Sequence, residues 1–423
     1  MVDKLAIDGG SKSIPHTLLP FNHIGDEEIG AVVEVLKSGV LSGFVGSWGE
    51  AFYGGPEVQN FEKAWERYFG VKHAIAVNSW TSGLICAVGA IGIEPGDEII
   101  VSPWTMSATA TSILHWNAIP VFADINKTDF CISPSEVRRK ITPRTRAILA
   151  VDIFGQSCNV EELLEIAEEF QLKLILDSAQ APGAKRGMEF TGTKGHIGGF
   201  SLNYHKHIHC GEGGVVVTED DDLAERVRMI RNHAEAVLED RPWENYSNML
   251  GFNFRLGEIE AAIGSKQLAK LTHLVERRQE IAKMLTEGLS GIPGISIPEI
   301  SELNSHVYYM FPMILDLSVL KWNRALIFSA LHAEGVQGLT EGYTNLHLLP
   351  LYQRKQAYGS NSFPWSLRED MKEFDYSKGI CPIAEKLHDE ELLILELCQY
   401  EYSNEDIVMT LEAFKKVLMH AQL

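Results

Sequence analysis

Between His73 and Asp220 the sequence alternates short apolar runs with segments of helical periodicity. The apolar runs are Ala74–Asn78, Asp97–Ser102, Ile119–Ile125, Arg146–Phe154, Lys173–Ala179, Phe200–Tyr204 and Gly213–Asp220. Helical spacing fills Ser79–Gly92, Thr105–Asn117 and Glu161–Gln171. Apolar, β-branched runs without polar alternation read as strands buried on both faces, and the helices between them as the crossovers that join parallel strands. The rhythm predicts an α/β fold: a large domain with a mostly parallel sheet flanked by helices. In such sheets ligands gather at the carboxyl ends of the strands. The polar residues that could do chemistry fall there: Ser79 to Ser82, Asp177, Gln180, Ser201 and Lys206.

The flanking segments have a different character. Asp26 to Gly39 reads as a short helix, with acids in its first turn and a glycine just past its end. Leu41 to Gly55 is rich in glycine and aromatic residues and has no period, so it reads as a loop, a candidate lid or dimer contact. Val58 to Phe69 returns to helical spacing. Beyond Gly251, a long helical stretch covers Glu258 to Val275, and a Pro/Gly-rich segment near Gly288 marks the entry to a smaller α/β domain. That domain reads as a strand region at Val307–Leu315, a helix at Arg324–Gly335, a long loop from Asn345 to Gly379, functional or mobile at that length, and a last helix capped by Ser403 with Asp406. With 423 residues, the chain exceeds a single small core. The expected division is 1–285 for the large domain with its N-terminal segment and 286–423 for the small one.

Composition narrows the partners. Lys and Arg total 37 against 57 Asp and Glu, a formal charge of -20. An acidic surface argues against nucleic acid or an anionic membrane as the main partner. No apolar run approaches about 18 residues, so no transmembrane helix is expected, and the first residues lack the apolar core of a signal peptide. Six scattered cysteines show no CxxC or zinc spacing, as expected of a reduced, cytoplasmic enzyme.

Four features carry the chemistry. Asn78-Ser79-Trp80-Thr81-Ser82-Gly83 follows a strand and opens a helix, where free N–H groups, small hydroxyls and the helix dipole bind phosphate; an ordinary N-capped helix has the same local pattern. Asp177 ends an apolar strand and is costly to bury unpaired. A protonated pyridine nitrogen would pair it, as would a salt bridge or a helix cap. Gln180 lies one helical step on, within reach of a ring hydroxyl, and Ser201 could donate to a phosphate. Lys206 stands just before Gly211-Glu212-Gly213-Gly214, where backbone and side chain can approach one site. Lysine forms Schiff bases once its amine sits in a dry pocket with a lowered pKa, although a lone lysine on a loop is usually a surface residue. His205, His207 and His209 alternate and would share one face of a strand, but no carboxylate or cysteine completes a metal site, and none is assigned.

Together these motifs resemble the DegT/DnrJ/StrS family of sugar aminotransferases, which depend on pyridoxal 5'-phosphate (PLP). The resemblance rests on Asn78 to Leu84, Asp177-Ser178-Ala179-Gln180, Ser201 with Lys206 and Gly211 to Gly214, and Gly251-Phe252-Asn253-Phe254-Arg255. Gly55-Pro56-Glu57-Val58, Ile141 to Thr145 and Cys381 to Glu385 support it, and it covers nearly the whole chain. It implies the fold type I architecture and a homodimer with active sites at the interface. It makes Lys206 the Schiff-base lysine, Asp177 the partner of the pyridine nitrogen, and Gln180 that of the ring hydroxyl. Ser79, Trp80, Thr81, Ser82 and Ser201 form the phosphate site, with Asn253 reaching in from the neighbouring subunit.

Three positions depart from the family pattern. Trp80 stands where a small residue is usual in the phosphate turn, Met106 where an aromatic side chain stacks on the cofactor, and Leu202 where an aromatic follows the serine. Some relatives are sugar 3-dehydratases with histidine in place of the lysine; Lys206 instead fits transamination. The resemblance implies transfer of an amino group from an amino acid, glutamate by expectation, to a nucleotide-linked keto-sugar. A keto-cyclitol or aminoshikimate-type ring is the alternative acceptor, and a PLP-binding regulatory protein the non-enzymatic one.

Overall fold

The computed structural model describes residues 4–240, 245–370 and 374–422. The alternating region forms a seven-stranded sheet. Its strands are β1 (His73–Val77), β2 (Glu98–Val101), β3 (Ile119–Phe122), β4 (Thr145–Val151), β5 (Lys173–Asp177), β8 (Ile197–Ser201) and β9 (Gly214–Thr218), in the order β1-β9-β8-β5-β4-β2-β3. A small hairpin, β6 (Lys185–Arg186) with β7 (Glu189–Phe190), lies outside it. The pairs from β8 through β5, β4 and β2 to β3 are parallel. β9 pairs antiparallel with both β1 and β8, so it alone runs against the other six.

That single reversal positions the site. Asp177 ends β5 and Ser201 ends β8, while the chain leaves β1 into the turn at Ser79. Because β9 returns antiparallel beside β8, with Ser201 opposite Gly214, the connecting turn 202–213 stays at the same edge and carries Lys206 to it. Sequence spacing places the strand before this turn at Phe200–Tyr204, but it lies at Ile197–Ser201. The displaced residues Gly198 and Gly199 are poor strand formers, kept because a Cβ would meet the carbonyl oxygen of Gly192 at 2.2 Å and the Trp80 ring at 2.2 Å, respectively.

A second core surrounds a four-stranded antiparallel sheet made of β10 (Ile295–Ser296), β11 (Phe311–Leu315), β12 (Leu339–Glu341) and β13 (Leu392–Leu395). It also buries Leu5, Ile14 and Leu18 from the N-terminal segment. The helix Glu258–Leu289 continues well past Val275. It seats Leu268 and Leu271 against the large sheet's side and Ile281 and Leu285 in the second core, so residue 285 lies within it. The capping pair is formed: Ser403 Oγ accepts from Asp406 N at 3.1 Å and Asp406 Oδ2 accepts from Ser403 N at 2.9 Å.

The stretch expected as a long loop, Asn345 to Gly379, is packed where it is described; its residues 371–373 lie outside the described chain. It includes the helical turns Leu346–Leu348, Pro350–Gln353 and Trp365–Leu367. Trp365 is buried and donates to Tyr376, whose hydroxyl donates to the carbonyl oxygen of Pro120 in β3. Aromatic burial against the sheet edge supplies the order that periodicity does not reveal. Among the described residues, no helix is long and apolar enough to cross a membrane.

Candidate active site

Lys206 is 8% exposed, and its Nζ lies 4.1 Å from the centre of the Tyr309 ring. Burial draws its amine down from the ordinary lysine value to about 8, opposed by the attraction of Asp177. Among the described residues no carboxylate comes within ion-pair distance of Nζ. Asp177 is 3% exposed. Its Oδ1 accepts from Trp80 Nε1 at 2.7 Å and Ala179 N at 3.1 Å, and its Oδ2 from Thr109 Oγ1 at 2.6 Å. Burial nevertheless raises its pKa, with these donors and Lys206 opposing. Acid and amine are thus both pressed toward their neutral forms, and a cationic ring beside Asp177 would relieve the acid.

The turn after β1 is built to receive an anion. Ser79 caps the helix Trp80–Ala90, its Oγ accepting from Ser82 N at 3.1 Å. Ser82 Oγ donates to Asn78 Oδ1 at 2.7 Å and lies 2.9 Å from Ser79 Oγ. Thr81 is exposed at the first turn, and Ser201 is buried at the end of β8, its Oγ accepting from Asn203 N at 3.3 Å. The loop that carries Asn253 packs beside this turn, since Asn78 N donates to the carbonyl oxygen of Phe254 at 2.9 Å and Asn78 Nδ2 reaches that of Asn253 at 3.5 Å. The Asn253 residue is exposed.

The lysine, the acid and the helix-opening turn thus lie together at the carboxyl ends of the strands. The DegT/DnrJ/EryC1/StrS aminotransferase family model covers residues 22–390. The chain belongs to this family. Similar curated proteins are the spore coat polysaccharide biosynthesis protein SpsC of Bacillus subtilis, 34% identical over 81% of this chain and 86% of that protein, and GDP-perosamine synthase of Caulobacter vibrioides, 34% identical over 70% and 78%. Among solved structures, S. venezuelae DesV, in complex with a ketimine intermediate, superposes with a TM-score of 0.77 at 29% identity, covering 93% of this chain and 94% of that one. The architecture is that of the fold type I aminotransferases.

Against the family pattern, Gln180 is locked in place: its Oε1 accepts from Phe154 N at 2.7 Å and its Nε2 donates to Tyr343 Oη at 3.2 Å. Met106 is 62% exposed at the start of the helix Ser107–His115, its sulfur accepting from Ala108 N. With Thr105, Tyr343 and Glu396 it lines a cavity of about 400 Å³. Trp80 does not turn its side chain into the phosphate turn; the indole runs under the sheet to Asp177, leaving its backbone at the helix start. Leu202 is buried in the core. The alternating histidines lie outside any strand, and the rings of His205 and His207 both lie against Tyr309, at 6.1 and 6.2 Å between centres. His207 Nε2 meets the carbonyl oxygen of Val307 at 2.8 Å, and His209 packs edge-on to His23.

Sequence reasoning missed Thr109, Tyr309 and Tyr343. Thr109 lies in the helix Ser107–His115, and its hydroxyl meets that of Thr105, just before the helix, at 2.6 Å. Tyr309 and Tyr343 come from the second domain's side of the molecule, and no local pattern ties them to Lys206.

Proposed function

We propose that this family member is a PLP-dependent aminotransferase that moves an amino group from an amino acid, glutamate by assignment, to the ketone of a nucleotide-linked sugar. The observation that carries the reading is the pairing of a buried lysine, its amine drawn down to about 8, with a buried acid held by the uncharged donors Trp80, Thr109 and Ala179. These residues fit PLP. Asp177 would hold the proton on the ring nitrogen, Gln180 would reach the ring hydroxyl, and Ser79, Thr81, Ser82 and Ser201 would hold the phosphate with the N–H groups at the helix start, Trp80's included. Met106 would lie over the ring. PLP, when bound, supplies a carbon that carries the amino group and a ring that accepts electron density. Lys206 Nζ would take the proton from the substrate carbon and hold it for return, a transfer favoured by an amine poised near working pH. Relatives named for polysaccharide and perosamine synthesis support a sugar acceptor, and the setting proposed for this reaction is the cytoplasm.

Incubating the purified protein with glutamate and a panel of nucleotide keto-sugars is expected to release 2-oxoglutarate with at least one of them. Release only with keto-cyclitols or aminoshikimate-type rings would move the acceptor class. A visible cofactor band without turnover on any donor would leave a binding protein.

We further propose that the enzyme is a homodimer whose sites are shared through Asn253. Its exposed side chain is open to a partner chain, while its backbone lies beside this chain's own turn, the rival placement that mixed dimers separate. Asn253→Asp, which sets a charge against the phosphate, and Lys206→Ala are each expected to be nearly inactive. When they are unfolded, mixed and refolded, about half the dimers become mixed, and about one site in four regains both native residues. If Asn253 serves its own chain's site, mixed dimers form without any recovery of activity.

A further inference from the structure

The Trp80 indole stands where the family pattern has a small side chain, yet three glycines make room for this residue. A Cβ at Gly83 would lie 2.5 Å from Trp80 Cε3, one at Gly199 2.2 Å from Cζ3, and one at Gly214 2.7 Å from its backbone nitrogen. Contacts this short are forbidden, so the indole's slot depends on glycine at 83 and 199, and glycine at 214 clears the backbone at the helix start. The indole fills it, 5% exposed, and its Nε1–H meets Asp177 Oδ1 at 2.7 Å. A hydrophobic residue would fill the same space without supplying that donor.

We propose that Trp80 is a positioning residue for Asp177: its indole N–H holds the buried carboxylate ionised and oriented toward the cofactor's ring nitrogen. This rests on the PLP reading of the site. Removing a carboxylate from water favours the neutral acid, and each donor aimed at it favours the anion. Trp80 and Ala179 share one oxygen, while Thr109, backed by Thr105, holds the other. The titratable groups around Asp177 are Lys206 in the 202–213 turn, Tyr343 beyond Gln180, and Asp152, whose backbone N–H donates to the Asp177 carbonyl oxygen. A substitution at Trp80 leaves all three in place.

The test compares the unsubstituted apoprotein with Trp80→Phe, which keeps an aromatic body in the slot and removes the donor. The probe is pyridoxamine 5'-phosphate, whose binding is followed by calorimetry across pH. It has no aldehyde, so no bond to Lys206 masks the acid. The lost hydrogen bond stabilises ionised Asp177 in the free and bound protein alike. The expected result is therefore an acid limb of the affinity profile moved up by about one pH unit, a loss of about tenfold at acid pH that closes as pH rises. Gly83→Ala, whose Cβ would meet the indole at 2.5 Å and drive it from its slot while keeping Trp80, is expected to move the same limb in the same direction. It provides a second route should Trp80→Phe fail to fold. An unchanged profile, or a loss by one factor at every pH, would make Trp80 a space-filler and overturn the proposal. No binding by the unsubstituted chain at any pH would overturn the PLP reading itself, and this proposal with it.

Discussion

Lys206→Ala is expected to abolish transamination, lowering turnover by at least about 10³-fold, at the upper end of what a positioned proton-transfer group contributes, with the covalent anchor lost besides. The buried amine touches the face of Tyr309 and is drawn down to about 8; alanine leaves neither nucleophile nor base at that position. Two measurements check this. Borohydride reduction of the PLP-loaded wild type should place the label on Lys206, and the variant should give no such adduct; label on another lysine would remove Lys206 from the mechanism. The amine's pKa also sets a sign. Only the neutral amine attacks an aldehyde, so PLP capture by the apoprotein should speed up as pH rises through about 8 and then level off. A rate still climbing toward the range of an exposed lysine would show that the amine is not held as described.

Asp177→Asn is expected to fold and to lower turnover by about 10²- to 10⁴-fold, the scale of losing a proton-holding group. An amide fits the existing hydrogen bonds. Its oxygen can still accept from Trp80 Nε1 and Ala179 N, and its NH₂ can face Thr109, whose hydroxyl can turn its proton to Thr105. What the amide cannot supply is negative charge against a ring nitrogen, so the ring loses the proton that lets it accept electron density. Steady-state kcat beside the visible spectrum of bound cofactor separates the two effects. A retained band with collapsed kcat is the expected pattern, and near-normal kcat would show that the acid is structural.

Much of this site was legible along the chain because its residues sit at ends of elements. Asp177 ends β5, Ser201 ends β8 and Ser79 caps a helix. Strand ends can be read from where an apolar run stops, and caps from a small hydroxyl before a helical period. Lys206 was found by its place before a glycine turn, although the strand preceding it is displaced by Gly198 and Gly199.

What the sequence determined by itself is therefore local and periodic: the α/β rhythm, the parallel sheet, the ends of its strands and the capped last helix. Tertiary structure alone decided which of these ends face one another and what lies between them. Trp80 reaches an acid 97 residues away, and Thr109 reaches the same acid across 68. The N-terminal Leu5, Ile14 and Leu18 join a core otherwise built from the chain's last third and the helix Glu258–Leu289. Periodicity records only whether a face is buried, not which distant residue buries it. A tryptophan at the opening of this helix carries no local mark of the slot that receives its indole, because that slot is made of missing side chains at Gly83 and Gly199, the second on a strand whose adjacency the sheet topology sets.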